Sequence, residues 1–155
     1  MSFNEVKRYL SKHGKDKYIM KLADSTATSE SAADALSVDV GQIAKTISLL
    51  KKEEEACILV VMSGNKKIDN NKFKKKFGFK PQILPYDKVE KLTGHLIGGV
   101  CPFANPQTVS TYLDISLQTY KTVFVACGDS NSVIELTNDE LFCLSNAIEW
   151  IDINK

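Results

Sequence analysis

Short blocks of apolar residues alternate with polar ones along this chain, and the spacing within each block predicts its secondary structure. Helices, with apolar residues every three or four positions, are predicted at 2–12, 31–36, 69–77, 86–93 and 137–146. Strands are predicted at 17–22, 46–50, 56–62, 80–84, 108–115, 122–126 and 133–136. The connections include polar turns at 25–30 and 51–55, a helical turn at 38–44 and an apolar tail at 148–153. Hairpins dominate over regular strand–helix–strand units, so the order predicts an α+β fold.

Residues that typically begin or end helices support the predicted boundaries of three of these helices. Ser2-Phe3-Asn4-Glu5 and Thr137-Asn138-Asp139-Glu140 have the spacing of a capping box, in which side chains bind the free N–H groups of the first turn. Asp69 is a suitable N-cap for the third helix, and Gly78 is a suitable terminator.

Length and composition favour one domain that spans residues 1–155. The chain is 43% hydrophobic, which is enough to bury a substantial core, and it contains no repeat or low-complexity linker. Its apolar runs are too short to span a bilayer, and its first residues lack the apolar core of a signal peptide. We therefore expect a cytoplasmic protein with no membrane partner.

The cysteines are widely spaced and form no Cys-x-x-Cys pair, so we expect reduced and mostly buried thiols. They are Cys57, Cys101, Cys127 and Cys143. With only two histidines in the chain, we expect no metal site and no cofactor. Cys101 lies in a glycine-rich stretch where a nucleophile could act, but no neighbouring base is evident.

Positive charge is concentrated in the first part of the chain and is carried almost entirely by lysines. Residues 1–91 have a net charge of +6 and residues 92–155 a net charge of −5, and Arg8 is the only arginine. Lysine suits phosphate, whereas the reading of base edges favours arginine, so contact with nucleic acid would involve the backbone. The densest basic stretch comprises Lys66, Lys67, Lys72, Lys74, Lys75, Lys76 and Lys80. Its helical face could follow an RNA backbone or could be a solvated surface, and both readings stay open.

The stretch Gly94-His95-Leu96-Ile97-Gly98-Gly99-Val100-Cys101-Pro102-Phe103 is rich in residues with special backbone properties. Glycine reaches angles closed to other residues and allows a ligand to approach the main chain, and proline fixes the exit angle. Such a loop can direct backbone N–H groups at one point, as an anion site or an oxyanion hole requires. A glycine-rich turn between two elements is the alternative.

Two further residues are candidates for chemistry. Lys45 precedes the predicted strand at 46–50, where it could bind phosphate, act as a base if desolvated, or extend its stem along the sheet. Asp114 lies between apolar neighbours and could face solvent or hold a site together through hydrogen bonds. No paired carboxylates, Ser–His–Asp set or phosphate loop is evident. An enzyme with this sequence would therefore rely on backbone donors, a lysine and groups of the substrate.

The order of these motifs resembles the YbaK family, the free-standing relatives of the editing domain inserted in bacterial prolyl-tRNA synthetase. The resemblance covers about residues 26–144. The matching residues are Gly41-Gln42-Ile43-Ala44-Lys45-Thr46, Ser63-Gly64, then Gly94, Gly98-Gly99-Val100 and Pro102-Phe103, and finally Asp114. It implies a compact α+β domain around a mixed, largely antiparallel and curved sheet.

The resemblance also implies an activity, which is hydrolysis of the ester that joins a wrong amino acid to the 3′ end of a tRNA. Lys45 would position the terminal adenosine or its phosphate, and Gly98 and Gly99 would offer backbone groups to the aminoacyl carbonyl and the ribose. The other substrate-binding residues it implies are Thr46, Gly94, His95, Val100, Pro102, Phe103 and Asp114. The tRNA backbone would meet Lys66, Lys67, Lys72, Lys75 and Lys76. The partners it implies are mischarged aminoacyl-tRNA and prolyl-tRNA synthetase, with no DNA.

Two departures leave the amino acid that is removed undecided. Ala126 and Val133 occupy positions where members that remove cysteine are expected to have serine and aspartate, although the pair Lys45-Thr46 is typical of that branch. The first alternative is a non-catalytic module that binds tRNA or a synthetase. The second is a nucleotide-binding protein that uses the Gly98-Gly99 loop alone.

Overall fold

The computed structural model describes residues 2–23, 25, 28–51 and 55–155. The helices in this part of the chain are α1 Ser2–Ser11, α2 Ser29–Leu36, α3 Asn70–Phe77, α4 Tyr86–Thr93 and α5 Asn138–Leu144. The strands are β1 Met20–Lys21, β2 Ile43–Leu50, β3 Cys57–Ser63, β4 Ser110–Asp114, β5 Thr122–Ala126, β6 Ser132–Thr137 and β7 Trp150–Ile151. Short 3₁₀ turns cover Asp16–Tyr18, Val40–Gln42 and Ile115–Thr119.

These strands form one mixed sheet in the order β1-β6-β5-β2-β3-β4-β7. The two longest ladders are antiparallel, with seven residue pairs between β2 and β3 and five between β5 and β6. The parallel ladders, which join β2 to β5, β3 to β4 and β4 to β7, are shorter. The predicted α+β fold with a mixed, largely antiparallel sheet is confirmed.

The interior strand β3 is buried along its whole length because helices cover both faces of the sheet there. Ile58, Val60 and Met62 pack in one cluster with Phe73 of α3. Cys57 and Leu59, which point to the opposite face, pack with apolar residues of α4. Alternation along a strand explains this division, since successive side chains point to opposite faces.

The other helices cover the half of the sheet that contains β5 and β6. Val6 and Leu10 of α1 share a large cluster with Leu141 and Leu144 of α5. The small residues of α2 allow that helix to lie close against β2 and β5 in a separate cluster. The site described below lies between α2 and α4, where these two parts of the molecule meet.

Several boundaries predicted from the sequence are confirmed. The predicted bounds of α4 and β5 match the structure. Asp69 accepts hydrogen bonds from two backbone N–H groups of α3, and Gly78 ends that helix with a φ of +85°. Thr137 and Glu140 form the predicted capping box of α5.

Four boundary predictions are corrected. The strand predicted at 17–22 is a 3₁₀ turn followed by the two residues of β1. The strand predicted at 80–84 is a single bridge between Ile83 and Leu49, since proline at 81 lacks the N–H that a ladder needs. The helical turn predicted at 38–44 ends earlier, so Lys45 lies inside β2. Ser2 is the first residue of α1 rather than its cap. The turns predicted at 25–30 and 51–55 lie partly outside the described residues.

All four cysteines are free thiols, and Cys57, Cys101 and Cys127 are buried, as expected. Cys143 is exposed. Among the described residues, no helix is both long enough and apolar enough to cross a membrane.

Candidate active site

The candidate site lies where two parallel strands of the sheet separate. The ladder between β2 and β5 has only two pairs and ends with Ala44 opposite Val125. The residues that follow on each strand, Lys45 and Thr46 on β2 and Ala126 on β5, line a cavity. Openings of this kind between parallel strands are common ligand positions in proteins with mixed sheets.

The segment 82–84 meets the same edge of β2 farther along. Leu50 donates its N–H to the carbonyl of Gln82 over 2.8 Å, and Leu84 donates its N–H to the carbonyl of Ser48 over 3.0 Å. The cavity is therefore a gap along one edge of β2, with β5 at one end and the segment 82–84 at the other.

The cavity has a volume of about 360 Å³, which is within the range of small-molecule sites. It is lined by Thr28, Ser29, Ala32, Ile43, Ala44, Lys45, Thr46, Ser48, Ile83, Leu84, Tyr86, Val89, Ile97, Gly98, Val100, Phe124, Ala126 and Val133. This lining contains no carboxylate, imidazole or thiol, and no group of three or more potential metal ligands occurs among the described residues. The described wall therefore lacks the side chains that most often act as a general base at neutral pH, and Lys45 is the amine that it contains.

Lys45 carries the charge of the cavity wall, and backbone oxygens hold its amine. The half-buried side chain donates from Nζ to the carbonyl of Lys66 and, over 3.4 Å, to the carbonyl of Gly64. Burial lowers the pKa of Lys45, and the nearby carboxylate of Glu30 opposes this effect. An ammonium has three N–H donors, so one remains available to a ligand.

Gly98 and Gly99 have different surroundings. Gly99 donates its N–H to the carbonyl of Leu96 over 2.9 Å, which closes a turn with Gly98 in third position. Gly98 has a φ of +88°, which favours glycine, and it lines the cavity. Within the described chain its N–H has no hydrogen-bond partner. Gly99 is buried, and a Cβ there would lie 2.4 Å from the carbonyl oxygen of Gly128. Gly99 therefore allows close packing and does not line the cavity.

His95, predicted to bind substrate, lies beneath the loop and not on the cavity wall. The ring is fully buried, with Nδ1 hydrogen-bonded to the hydroxyl of Ser2 and Nε2 2.8 Å from the carbonyl oxygen of Phe103. Burial lowers the pKa of His95, which favours the neutral ring that accepts at Nδ1 and donates at Nε2. Phe103 is part of the main core. Both residues support the loop by tying it to α1 and to the core.

The other loop residues predicted to bind substrate divide between the cavity and its support. Val100 lines the cavity. Gly94 ends α4 with a φ of +77°, and Pro102 is buried outside the lining. Burial raises the pKa of Cys101 to about 12, which keeps it a thiol and excludes it as a nucleophile.

Asp114 is also a supporting residue rather than part of the cavity wall. Its fully buried carboxylate accepts hydrogen bonds of 2.9 Å from the N–H of Ser116, the N–H of Ile153 and the side-chain amide of Asn154. It therefore joins the end of β4 to the C-terminal segment that follows β7.

The lysines predicted to contact tRNA differ in their exposure and in their ion pairing. Lys72 and Lys76 form ion pairs with carboxylates near the C-terminus, over 3.1 and 2.9 Å. Lys66 is half-buried, and its carbonyl holds the cavity lysine. Lys67 and Lys75 are exposed and have no ion pair within the described part of the chain.

The mouth of the cavity is formed by residues that the sequence patterns did not single out. Ile83, Tyr86 and Ile97 line it with exposed fractions of 64%, 78% and 53%. The sequence contains one relevant signal, the proline before α4, which predicts where that helix begins. It does not show that this end of the helix lies beside the glycine-rich loop. Ala126 and Val133, the two departures noted above, face each other across the β5–β6 ladder and both line the cavity.

The fold that carries this cavity is similar to that of a solved structure. A crystal structure described as "a putative trans-editing enzyme for prolyl tRNA synthetase" superposes with a TM-score of 0.87 at 29% identity. The match covers 99% of this chain and 97% of that one.

Two sequence relatives match across most of their length. The YwhH protein of Bacillus subtilis (strain 168), described as uncharacterized, is 41% identical over the whole of this chain and 98% of its own. The Enterococcus faecalis (strain ATCC 700802 / V583) protein called "Putative Cys-tRNA(Pro)/Cys-tRNA(Cys) deacylase EbsC" is 28% identical over 83% of this chain and 79% of its own. The family model described as "Aminoacyl-tRNA editing domain" matches residues 23–144. The chain belongs to the aminoacyl-tRNA editing domain family.

Proposed function

We propose that this protein is a trans-editing deacylase that hydrolyses the ester between a tRNA and a wrongly attached small amino acid. The observation that carries the proposal is the cavity itself, which has Lys45 on one wall and, on another, Gly98, whose N–H has no hydrogen-bond partner within the described chain. In a member of this family, these groups suit the charged and polar parts of an aminoacylated tRNA end.

The chemistry proceeds without a protein base, because the described lining has no carboxylate, imidazole or thiol and the ammonium of Lys45 is held by backbone carbonyls. Water attacks the ester carbonyl, helped by a neighbouring hydroxyl of the substrate ribose. The bond from the carbonyl carbon to the ribose oxygen breaks, and that oxygen takes up a proton derived from the water. The N–H of Gly98 stabilises the charge that develops on the carbonyl oxygen.

Lys45 orients the end of the tRNA. Two of its three N–H donors bind the carbonyls of Gly64 and Lys66, and the third binds the terminal adenosine or its phosphate. Because its ammonium is held in place before the substrate arrives, little side-chain freedom is lost on binding. Exposed lysines at 67 and 75 are suited to contact the backbone farther along the tRNA.

The wall formed by Ile43, Phe124, Ala126 and Val133 selects the amino acid. These side chains are apolar, so the cavity favours a small uncharged side chain such as that of alanine or cysteine. A second pocket of this kind removes amino acids that a synthetase cannot reject by binding alone. Tyr86, exposed at the mouth, is placed to stack on a base of the unpaired 3′ end.

The test is hydrolysis of a panel of mischarged tRNAs carrying cysteine, alanine, serine or threonine, with and without prolyl-tRNA synthetase. The variants are Lys45→Met, which keeps most of the stem but removes the charge, and Lys121→Met, which removes an exposed lysine outside the cavity. We expect hydrolysis of at least one small amino acid, a loss of about 100-fold in Lys45→Met, and little change in Lys121→Met.

Two results would contradict the proposal. Binding of tRNA without hydrolysis of any panel member, with or without the synthetase, would instead indicate the non-catalytic binding module. Hydrolysis that persists unchanged in a folded Lys45→Met variant would remove the role given to Lys45. Thermal unfolding of each variant shows whether a loss of rate reflects a loss of fold.

A further inference from the structure

The direction of the backbone groups along β2 shows which of them face the cavity. Ile43 accepts from the N–H of Gly64 over 2.7 Å, and Lys51 donates to Ala56 over 3.0 Å, so the odd-numbered residues of β2 bond to β3. Thr46 is opposite Val61 in the same ladder. In an antiparallel ladder the pairs alternate, so Thr46 belongs to a pair without hydrogen bonds and directs its N–H and C=O to the other edge.

That other edge is occupied on both sides of Thr46 but not at Thr46. β5 pairs with Ala44, and the carbonyl of Ser48 accepts from Leu84. The ladder with β5 ends before Thr46, so within the described residues the N–H and C=O of Thr46 and the N–H of Ser48 have no strand partner. Thr46 and Ser48 both line the cavity. Buried backbone groups are normally paired, so this row is suited to receive the polar groups of a ligand.

We infer that the aminoacyl group of the substrate fills this gap as a missing one-residue strand, and the inference rests on the proposed deacylase function. The ester carbonyl oxygen accepts from the N–H of Thr46, and the α-ammonium donates to the C=O of Thr46. These are the two bonds that one residue makes to its partner in a hydrogen-bonded antiparallel pair. The N–H of Gly98 binds the second lone pair of the carbonyl oxygen or the ribose.

This arrangement has a consequence for specificity. The C=O of Thr46 accepts a charge-assisted hydrogen bond from the α-ammonium, whereas an acylated nitrogen offers one uncharged N–H and carries an acyl group that needs additional space. The site therefore favours aminoacyl-tRNA over tRNA whose amino acid is N-acylated, such as peptidyl- or formylaminoacyl-tRNA. The side-chain pocket contributes nothing to this selection, which depends on backbone atoms alone.

The first experiment compares hydrolysis of alanyl-tRNA, or of the best substrate in the panel, with the same tRNA after N-acetylation. Each enzymatic rate is divided by the uncatalysed rate, because acetylation changes the reactivity of the ester. We expect the normalised kcat/KM of the acetylated substrate to be lower by about 10- to 100-fold. Equal normalised values would overturn the inference.

The second experiment uses Thr46→Pro, which removes the N–H on the cavity edge without removing a bond to β3. We expect a lower rate for the free-amine substrate, because the ester carbonyl oxygen loses its donor, while the preference for the free amine, which depends on the C=O of Thr46, is retained. Thr46→Val keeps both backbone groups and serves as the control for the loss of the side chain. A folded Thr46→Pro variant that works at the rate of Thr46→Val would contradict the proposal.

If no aminoacyl-tRNA is hydrolysed, measurements of ligand binding test the edge site independently of the proposed deacylase activity. The probes are 3′-alanylamido-adenosine, whose amide resists hydrolysis, and its N-acetyl derivative, and their affinities are measured by calorimetry with the wild-type protein. Binding of the free amine at least about tenfold more tightly would support the edge site although the deacylase proposal had failed. Equal affinity, or no binding of either probe, would overturn the edge site as well.

Discussion

Asp114 offers a sharp test of whether a predicted site residue contacts substrate or supports the fold. Its carboxylate is fully buried and receives three hydrogen bonds, all of 2.9 Å. One oxygen accepts from Ile153, and the other accepts from both Ser116 and Asn154. Asp114→Asn keeps the shape of the side chain but converts one of these oxygens into an amide donor.

The expected loss follows from counting donors. Whichever oxygen becomes the amide nitrogen, at least one buried N–H then faces another donor, and the remaining bonds lose the assistance of the charge. A hydrogen bond to a charged group contributes about 1.5–3 kcal/mol, and an unsatisfied buried donor costs about 1–3 kcal/mol. We therefore expect Asp114→Asn to lower the free energy of unfolding by about 3 kcal/mol, or Tm by about 6–12 °C for a chain of this size.

The assay combines thermal unfolding with hydrolysis measured well below either melting temperature. The matched control is Asp152→Asn, since the Asp152 carboxylate is exposed and pairs with Lys72 on the surface, where ion pairs contribute at most about 1 kcal/mol. We expect kcat/KM per folded molecule to stay close to wild type in Asp114→Asn. An unchanged Tm would refute the stabilising role derived from these hydrogen bonds. Lost activity at an unchanged Tm would indicate that Asp114 contacts the substrate.

Three further outcomes are expected. Urea unfolding will show a larger loss of unfolding free energy for Gly99→Ala than for Gly98→Ala. The new Cβ at position 99 meets a backbone carbonyl, whereas the Cβ at position 98 has open space and only the positive φ costs about 1–2 kcal/mol. The reverse order would contradict the packing described. A hydrogen bond from a lysine lowers the pKa of Glu140, so its stabilising effect is present above about pH 4.3 and is lost as the pH falls through the depressed pKa. The unfolding free energy of Glu140→Gln will thus fall less on acidification than that of the wild type. Iodoacetamide will label Cys143 in the native protein but not Cys101, as mass spectrometry of the alkylated protein can check.

Local signals in the sequence predicted the elements whose ends depend on a single residue. The helix α3 begins after Asp69 and ends at Gly78 because one side chain caps its free N–H groups and the other residue reaches a positive φ. Predictions were poorer where tertiary contacts determine whether a segment joins the sheet. The segment 82–84 has an apolar pattern, yet it joins the sheet through only one bridge, to Leu49.

The candidate site was only partly predictable for the same reason. The resemblance of motifs directed attention to Lys45 and Gly98, which the structure brings to one cavity. It did not separate them from His95, which stands in the same glycine-rich stretch but is turned into the interior. The gap between β2 and β5 depends on a pairing between residues about 80 positions apart, and no local pattern reports where such a ladder stops.

The position of the cavity at the end of a ladder separates what the protein recognises from what keeps it folded. Ala126 and Val133 complete the β5–β6 pairing with their backbones, while their side chains form part of the cavity wall. Exchanging these side chains alters the space offered to an amino acid but leaves the backbone pairing in place. Under the proposed function, one or two substitutions at these positions change which amino acid is removed while the scaffold stays the same.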